Sequence, residues 1–178
     1  MKKMKWFVWV IAAALAGLTA WSCIKKPSFP NTPQLKNARV SFSSGGAEQV
    51  LKLQVEYQDG DGNLGLSPAD TMPPFNRLLS NGEVNPDYYN IVVDFYTRRP
   101  FSQQYELFDF GGFNYYGRFP LLADNDYSGP IEGTLTYDMK SINFFGGERT
   151  DLKLRVSIQD RNLNQSNVIE TPSIIINQ

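Results

Sequence analysis

From Leu35 onward the apolar residues recur at period two, not at the three-to-four spacing of an amphipathic helix. The run 50–57 places Leu51, Leu53, Val55 and Tyr57 on one face, and the run 151–159 does the same with Leu152, Leu154, Val156 and Ile158. Residues 131–139 form a third clear run, and residues 89–97 are dense in Ile, Val, Phe and Tyr, which suit a pleated surface. Weaker runs lie at 39–42 and 104–110. Pro120 limits the run 115–122 to a short edge strand. The last run, 168–177, contains Pro172, which lacks an amide hydrogen and predicts an edge strand or a bulge. Gly, Asn, Asp and Pro clusters separate the runs. Seven to eight antiparallel strands predict an all-β domain over residues 35–178, an Ig-like β-sandwich with widened loops.

One stretch interrupts this rhythm. Residues 64–87 contain Pro68, Pro73, Pro74 and Pro86 and few strand formers. The expectation is a solvated surface insertion, with a binding loop as the alternative and a helical turn at residues 76–79.

The N-terminus follows a different pattern. Met1–Lys5 is basic, residues 6–18 carry no charge, and small residues precede Cys23. These are the parts of an export signal over residues 1–22. Thirteen helical residues span only about 20 Å, short of a hydrocarbon core of roughly 30 Å. The segment resembles a bacterial lipoprotein signal, with Ala20-Trp21-Ser22-Cys23 as its lipobox. Ser22 fits that motif, while Ala20 and bulky Trp21 depart from it. The resemblance implies cleavage before Cys23 and lipidation of its thiol by several acyl chains, together a durable anchor. Pro27, Pro30 and Pro33 then make residues 23–34 a flexible tether.

An internal echo carries the main candidate chemistry. Leu51-Lys52-Leu53-Gln54-Val55-Glu56-Tyr57-Gln58-Asp59 matches Leu152-Lys153-Leu154-Arg155-Val156-Ser157-Ile158-Gln159-Asp160 at six of nine positions. Counted as the second and sixth strands of an Ig-like sandwich, the two copies lie in opposite sheets, point the same way and deliver their loops to one end. The loops are Asp59-Gly60-Asp61-Gly62-Asn63-Leu64-Gly65 and residues 160–167, Asp-Arg-Asn-Leu-Asn-Gln-Ser-Asn. Calcium takes about six to eight oxygen ligands, and alternating Asp and Asn on a turn supplies them. The candidate ligands are therefore Asp59, Asp61, Asn63, Asp160, Asn162 and Asn164. Asp-Gly and Gly-Asn also form turns without any metal, and Arg161 could itself neutralise Asp59 or Asp61. The first loop partly resembles EF-hand and dockerin calcium loops, with Asp59, Asp61, Asn63 and Asp70 in register. It departs from them at Leu64, where that register needs Gly, and in lacking a closing Glu.

Composition narrows the remaining classes. The 178 residues include no His and one Cys, which excludes imidazole catalysis, His metal ligands, an internal disulfide and a four-thiolate zinc site. A net charge of −1 gives no footprint for nucleic acid. Cleavage before Cys23 would remove Lys2, Lys3 and Lys5 from the 17 basic residues and none of the 18 acidic ones, moving the charge to −4. It would also remove all three Trp, the best stacking side chain for a glycan.

The loop after the first echo strand, the closing residues 159–167 and Thr171-Pro172 together resemble lipoproteins of Bacteroidota. This resemblance implies an Ig-like sandwich on the outer membrane and supplies no activity. Surface-exported members carry acidic residues just after the Cys; Lys25 and Lys26 stand there instead, which favours the periplasmic face. Asp70-Thr71-Met72 resembles the O-glycosylation sequon of that group, with Thr71 as acceptor.

Seven aromatics crowd residues 105–119: Tyr105, Phe108, Phe110, Phe113, Tyr115, Tyr116 and Phe119, with a hairpin turn expected at Gly111-Gly112. They read as sandwich core with cross-strand pairs, or as a stacking surface for a glycan or protein with Tyr115 and Tyr116 exposed. A glycoside hydrolase needs only two carboxylates, and Asp109, Asp124 and Asp126 near these rings are the first candidates. No constellation of nucleophile and base is assembled in the sequence, so the expectation is a non-enzymatic, lipid-anchored envelope protein that binds or scaffolds a protein partner, with the loop end either metal-free turns or a calcium site. A glycan-binding module is the alternative.

Overall fold

A computed structural model describes residues 27–45, 48–98, 101, 103–141 and 143–177. The expected signal segment, Cys23 and the first residues of the tether lie outside the described residues. Among the described residues no helix is long and apolar enough to cross a membrane.

The strands are β1 (Gln34–Gly45), β2 (Glu48–Asp59), β3 (Ile91–Arg98), β4 (Glu106–Leu107), β5 (Ile131–Ser141), β6 (Thr150–Ile158), β7 (Ile169–Glu170) and β8 (Ile174–Ile176). They form two antiparallel sheets. One has the order β1-β2-β5; the other has the order β4-β3-β6-β7, with β8 also paired to β6. The chain changes sheets between β2 and β3, between β4 and β5, and between β5 and β6. That is the Greek-key order of an Ig-like sandwich.

Alternation explains the core. Leu51, Leu53 and Val55 of β2 and Leu152, Leu154 and Val156 of β6 are fully buried. The two echo strands thus supply the same Leu-x-Leu-x-Val face to one core from opposite sheets. Polar residues between them point outward, as a half-buried strand requires.

Two local expectations are corrected, and a third, the interruption at Pro172, holds. In the run 104–110 only Glu106 and Leu107 pair with β3, opposite Thr97 and Tyr96. The run 115–122 forms no strand: Gly117 bridges Ile91, and the buried side chain of Asn90 then holds both the Phe119 amide at 2.7 Å and its carbonyl at 2.9 Å. A side-chain amide has replaced the ladder. The final run splits around Pro172, where the Thr171 hydroxyl accepts the Leu154 amide at 3.0 Å.

The insertion has order of its own, though little core. The helical turn expected at 76–79 is absent; Leu78 bridges Val84 instead, and the helical residues are the 3-10 turn Pro86–Tyr88. Asn85 explains this, because its side-chain amide draws in the carbonyls of Pro74 and Asn76 at 2.6 and 2.8 Å. Arg118 pins the insertion from the far side, reaching the carbonyls of Asp70 and Tyr88 at 2.8 and 2.9 Å and lying over the Tyr88 ring.

Candidate metal centre

β2 ends on Asp59 and β6 ends just before Gln159 and Asp160, so both acidic loops start at the same end of the sandwich. A bridge between Leu64 and Asp160 ties the loops together. Carboxylate oxygens of Asp59, Asp61 and Asp160 all lie within 4.8 Å of one another. At that spacing each pair of ionised carboxylates repels by roughly 3 kcal/mol at an effective dielectric of 20.

The surroundings supply few partners. Asp59 is fully buried; its Oδ2 accepts the Asn63 amide at 3.1 Å, while its Oδ1 accepts nothing among the described residues. Asp61 Oδ2 accepts the side-chain amides of Asn63 and Asn162 at 3.2 and 3.4 Å, and its Oδ1 is buried without a partner. Asn63 Oδ1 is buried and equally unpartnered. Burial first, then the neighbouring Asp61 charge, push the Asp59 carboxyl up to about 6. Native proteins rarely leave buried oxygens without a partner, and three in one loop are open to a water or a cation.

No ion pair among the described residues involves these acids. Arg161 does not take the neutralising role. It turns to the Asn63 carbonyl, at 3.3 Å, and to Asn125. Asn162 and Asn164 serve Asp160 more than the centre. Their backbone amides donate to its Oδ1 at 2.9 and 2.7 Å, and the Asn164 side chain donates to its Oδ2 at 2.8 Å. Asp70 lies outside the cluster, capping the Ser67 amide at 2.7 Å, and Leu64 is core.

The 127–129 segment closes the first loop and was not foreseen. Gly129 donates to the Asp61 carbonyl at 3.2 Å. Gly62 has φ +72°, and a Cβ there would meet the Gly129 oxygen at 2.7 Å, so only glycine fits. No spacing in the sequence signals this contact.

The donors are all oxygens. Zinc prefers nitrogen and sulfur, and magnesium demands near-ideal octahedral geometry, so the set suits calcium best. Asp59, Asp61 and Asp160, with the Asn63 oxygen beside them, are the side chains that could hold it.

The aromatic segment faces mostly inward. Phe108, Phe110 and Tyr115 pack on the core, where Phe110 and Tyr115 each stand 5.0 Å from Phe95, and Phe119 is buried within it. Tyr116 is half-buried and donates to Asp94 at 2.9 Å. The exposed ring of this group is Phe113, not the expected Tyr115 and Tyr116 pair. Gly111 and Gly112 do turn the chain, and their amides share Asp109 Oδ1. Asp124 and Asp126 lie in an exposed loop, as does Thr71 in the insertion. Fold and site define an Ig-like sandwich with an all-oxygen acidic cluster at one end. No family model matches the chain, and no curated protein or solved structure matches it.

Proposed function

We propose that this protein is a calcium-binding, non-enzymatic β-sandwich of the bacterial cell envelope, anchored by lipid at Cys23 and acting as a binding or scaffold component. The observation that carries the calcium reading is the meeting of Asp59, Asp61 and Asp160 from two loops, with buried oxygens of Asp59, Asp61 and Asn63 left unpartnered. A cation there joins the ends of β2 and β6, which belong to opposite sheets. Its role is structural: it sets the shape of the loop end presented to a partner.

Calcium that binds only the folded state must raise the unfolding midpoint. At a hundred times Kd the gain is about 2.7 kcal/mol, or on the order of 5–10 °C for a domain of this size. Thermal unfolding in millimolar calcium against chelator measures it. An unchanged midpoint refutes the site.

The anchor rests on the basic stretch, the apolar run and the lone Cys. The periplasmic face of the outer membrane is favoured by Lys25 and Lys26 beside the anchor. Cys23→Ala is expected to move the protein from the membrane fraction to the soluble one, as fractionation and blotting would show. Retention in the membrane would mean that something other than lipid holds it.

A further inference from the structure

The loops that hold the acidic cluster also hold the lead-in to the domain. Residues 29 and 30 cross directly over the Asp59-Gly60-Asp61 turn. A Cβ at Gly60 would lie 2.8 Å from the Pro30 carbonyl carbon and oxygen, and closer still to the Phe29 oxygen. No left-handed backbone requires glycine at this position; the overlying chain does. Pro33 is buried and Phe29 half-buried against the domain. From the second loop, the Asn167 side chain clamps Leu35 at the start of β1. It accepts the Leu35 amide at 2.8 Å and donates to the Leu35 carbonyl at 3.1 Å.

Gly60 sits between two of the acids, so residues 29 and 30 rest on the proposed ligand turn itself. Cross-linking that turn to the Asp160 loop would fix both contacts on the lead-in together. We infer that calcium fastens residues 27–33 onto the sandwich, so that the cation determines how the chain leaves the domain towards its N-terminus. This rests on the calcium reading and adds to it a coupling between the ion and the tether. Coupling is reciprocal: docking of the lead-in strengthens calcium binding by the factor with which calcium strengthens docking.

Hydrogen exchange read by mass spectrometry on the full chain in detergent, in 5 mM calcium chloride or in chelator, tests the coupling. Calcium is expected to slow exchange in peptides covering residues 28–35 by about tenfold, a typical coupling. Peptides covering 59–63 and 160–164 should slow as well. Gly60→Ala forces the overlying chain away and leaves every acid in place. It is expected to keep a calcium-dependent rise in midpoint, reduced by the lost coupling, while exchange over 28–35 becomes fast with or without calcium. If calcium raises the native protein's midpoint but leaves exchange over 28–35 unchanged, the coupling is wrong and the site stands. If neither changes, the site fails and the coupling with it. The native protein decides the question alone should Gly60→Ala not fold.

Discussion

Asp59→Asn is expected to raise the unfolding midpoint in calcium-free buffer at pH 7 and to lower it, relative to the native protein, in millimolar calcium. The crossing follows from the two demands on one buried oxygen pair. Without a cation, Asp59 must hold its charge away from water and beside Asp61, which pushes its carboxyl up to about 6 from an ordinary 3.8. An acid held above its unfolded value binds its proton more tightly when folded. The Asp59 contribution to the stability of the calcium-free protein is therefore fully present below about pH 4 and is lost as pH rises through about 6. The loss is on the order of 2–3 kcal/mol, at about 1.4 kcal/mol per pKa unit. Asn removes that charge, and its remaining oxygen can still accept the Asn63 amide. Midpoints measured from pH 4 to 7 in chelator should fall for the native protein and stay nearly flat for the variant. Calcium reverses the ranking, because it prefers the charged carboxylate and must compete with the proton below about pH 6. A variant that still responds to calcium as the native protein does would remove Asp59 from the ligand set.

Phe95→Ala should give the largest loss of stability, about 3–5 kcal/mol. Phe95 is 2% exposed and touches Phe110, Tyr115 and Phe144, with ring centroids 5.0 to 6.2 Å away. No single neighbour can close the space a ring of that size leaves. Domains of this kind are stable by roughly 5–15 kcal/mol, so the variant approaches the unfolding limit. Urea unfolding should show a lower midpoint at an unchanged slope. Phe113→Ala, at the exposed ring, should cost under about 0.5 kcal/mol. Near-equal losses from the two would mean that the aromatic segment is not part of the core.

Much of this fold is legible in local pattern. The alternation of Leu51, Leu53 and Val55 and its echo at Leu152, Leu154 and Val156 identify two core strands, since period two has only one way to bury a face. Counting those strands as second and sixth places Asp59 and Asp160 at the same end, where they indeed meet. Pattern fails where side chains replace the ladder. Nothing local shows that Asn90 will satisfy Phe119, or that Asn85 will gather Pro74 and Asn76 and unmake a helical turn. Both are amides whose partners lie many residues away.

The candidate site divides along the same line. Residue types and spacing named all of its acids, and also named Asn162 and Asn164 with equal weight. In the structure both brace Asp160 through their backbone amides, and the Asn162 side chain also donates to Asp61. The structure also turns Arg161 towards Asn125, a residue with no sequence signal, which leaves the acids without an arginine among the described residues.

The sequence alone determined the strand periodicity, the chemistry of the loops and the expectation of a lipid anchor, because each depends on neighbours within a few residues. Tertiary structure alone decided which oxygens are buried without donors, and that the lead-in at Phe29 and Pro30 rests on Gly60. Burial and hydrogen-bond satisfaction are set by atoms far apart in the chain, so they exist only once the two sheets have packed.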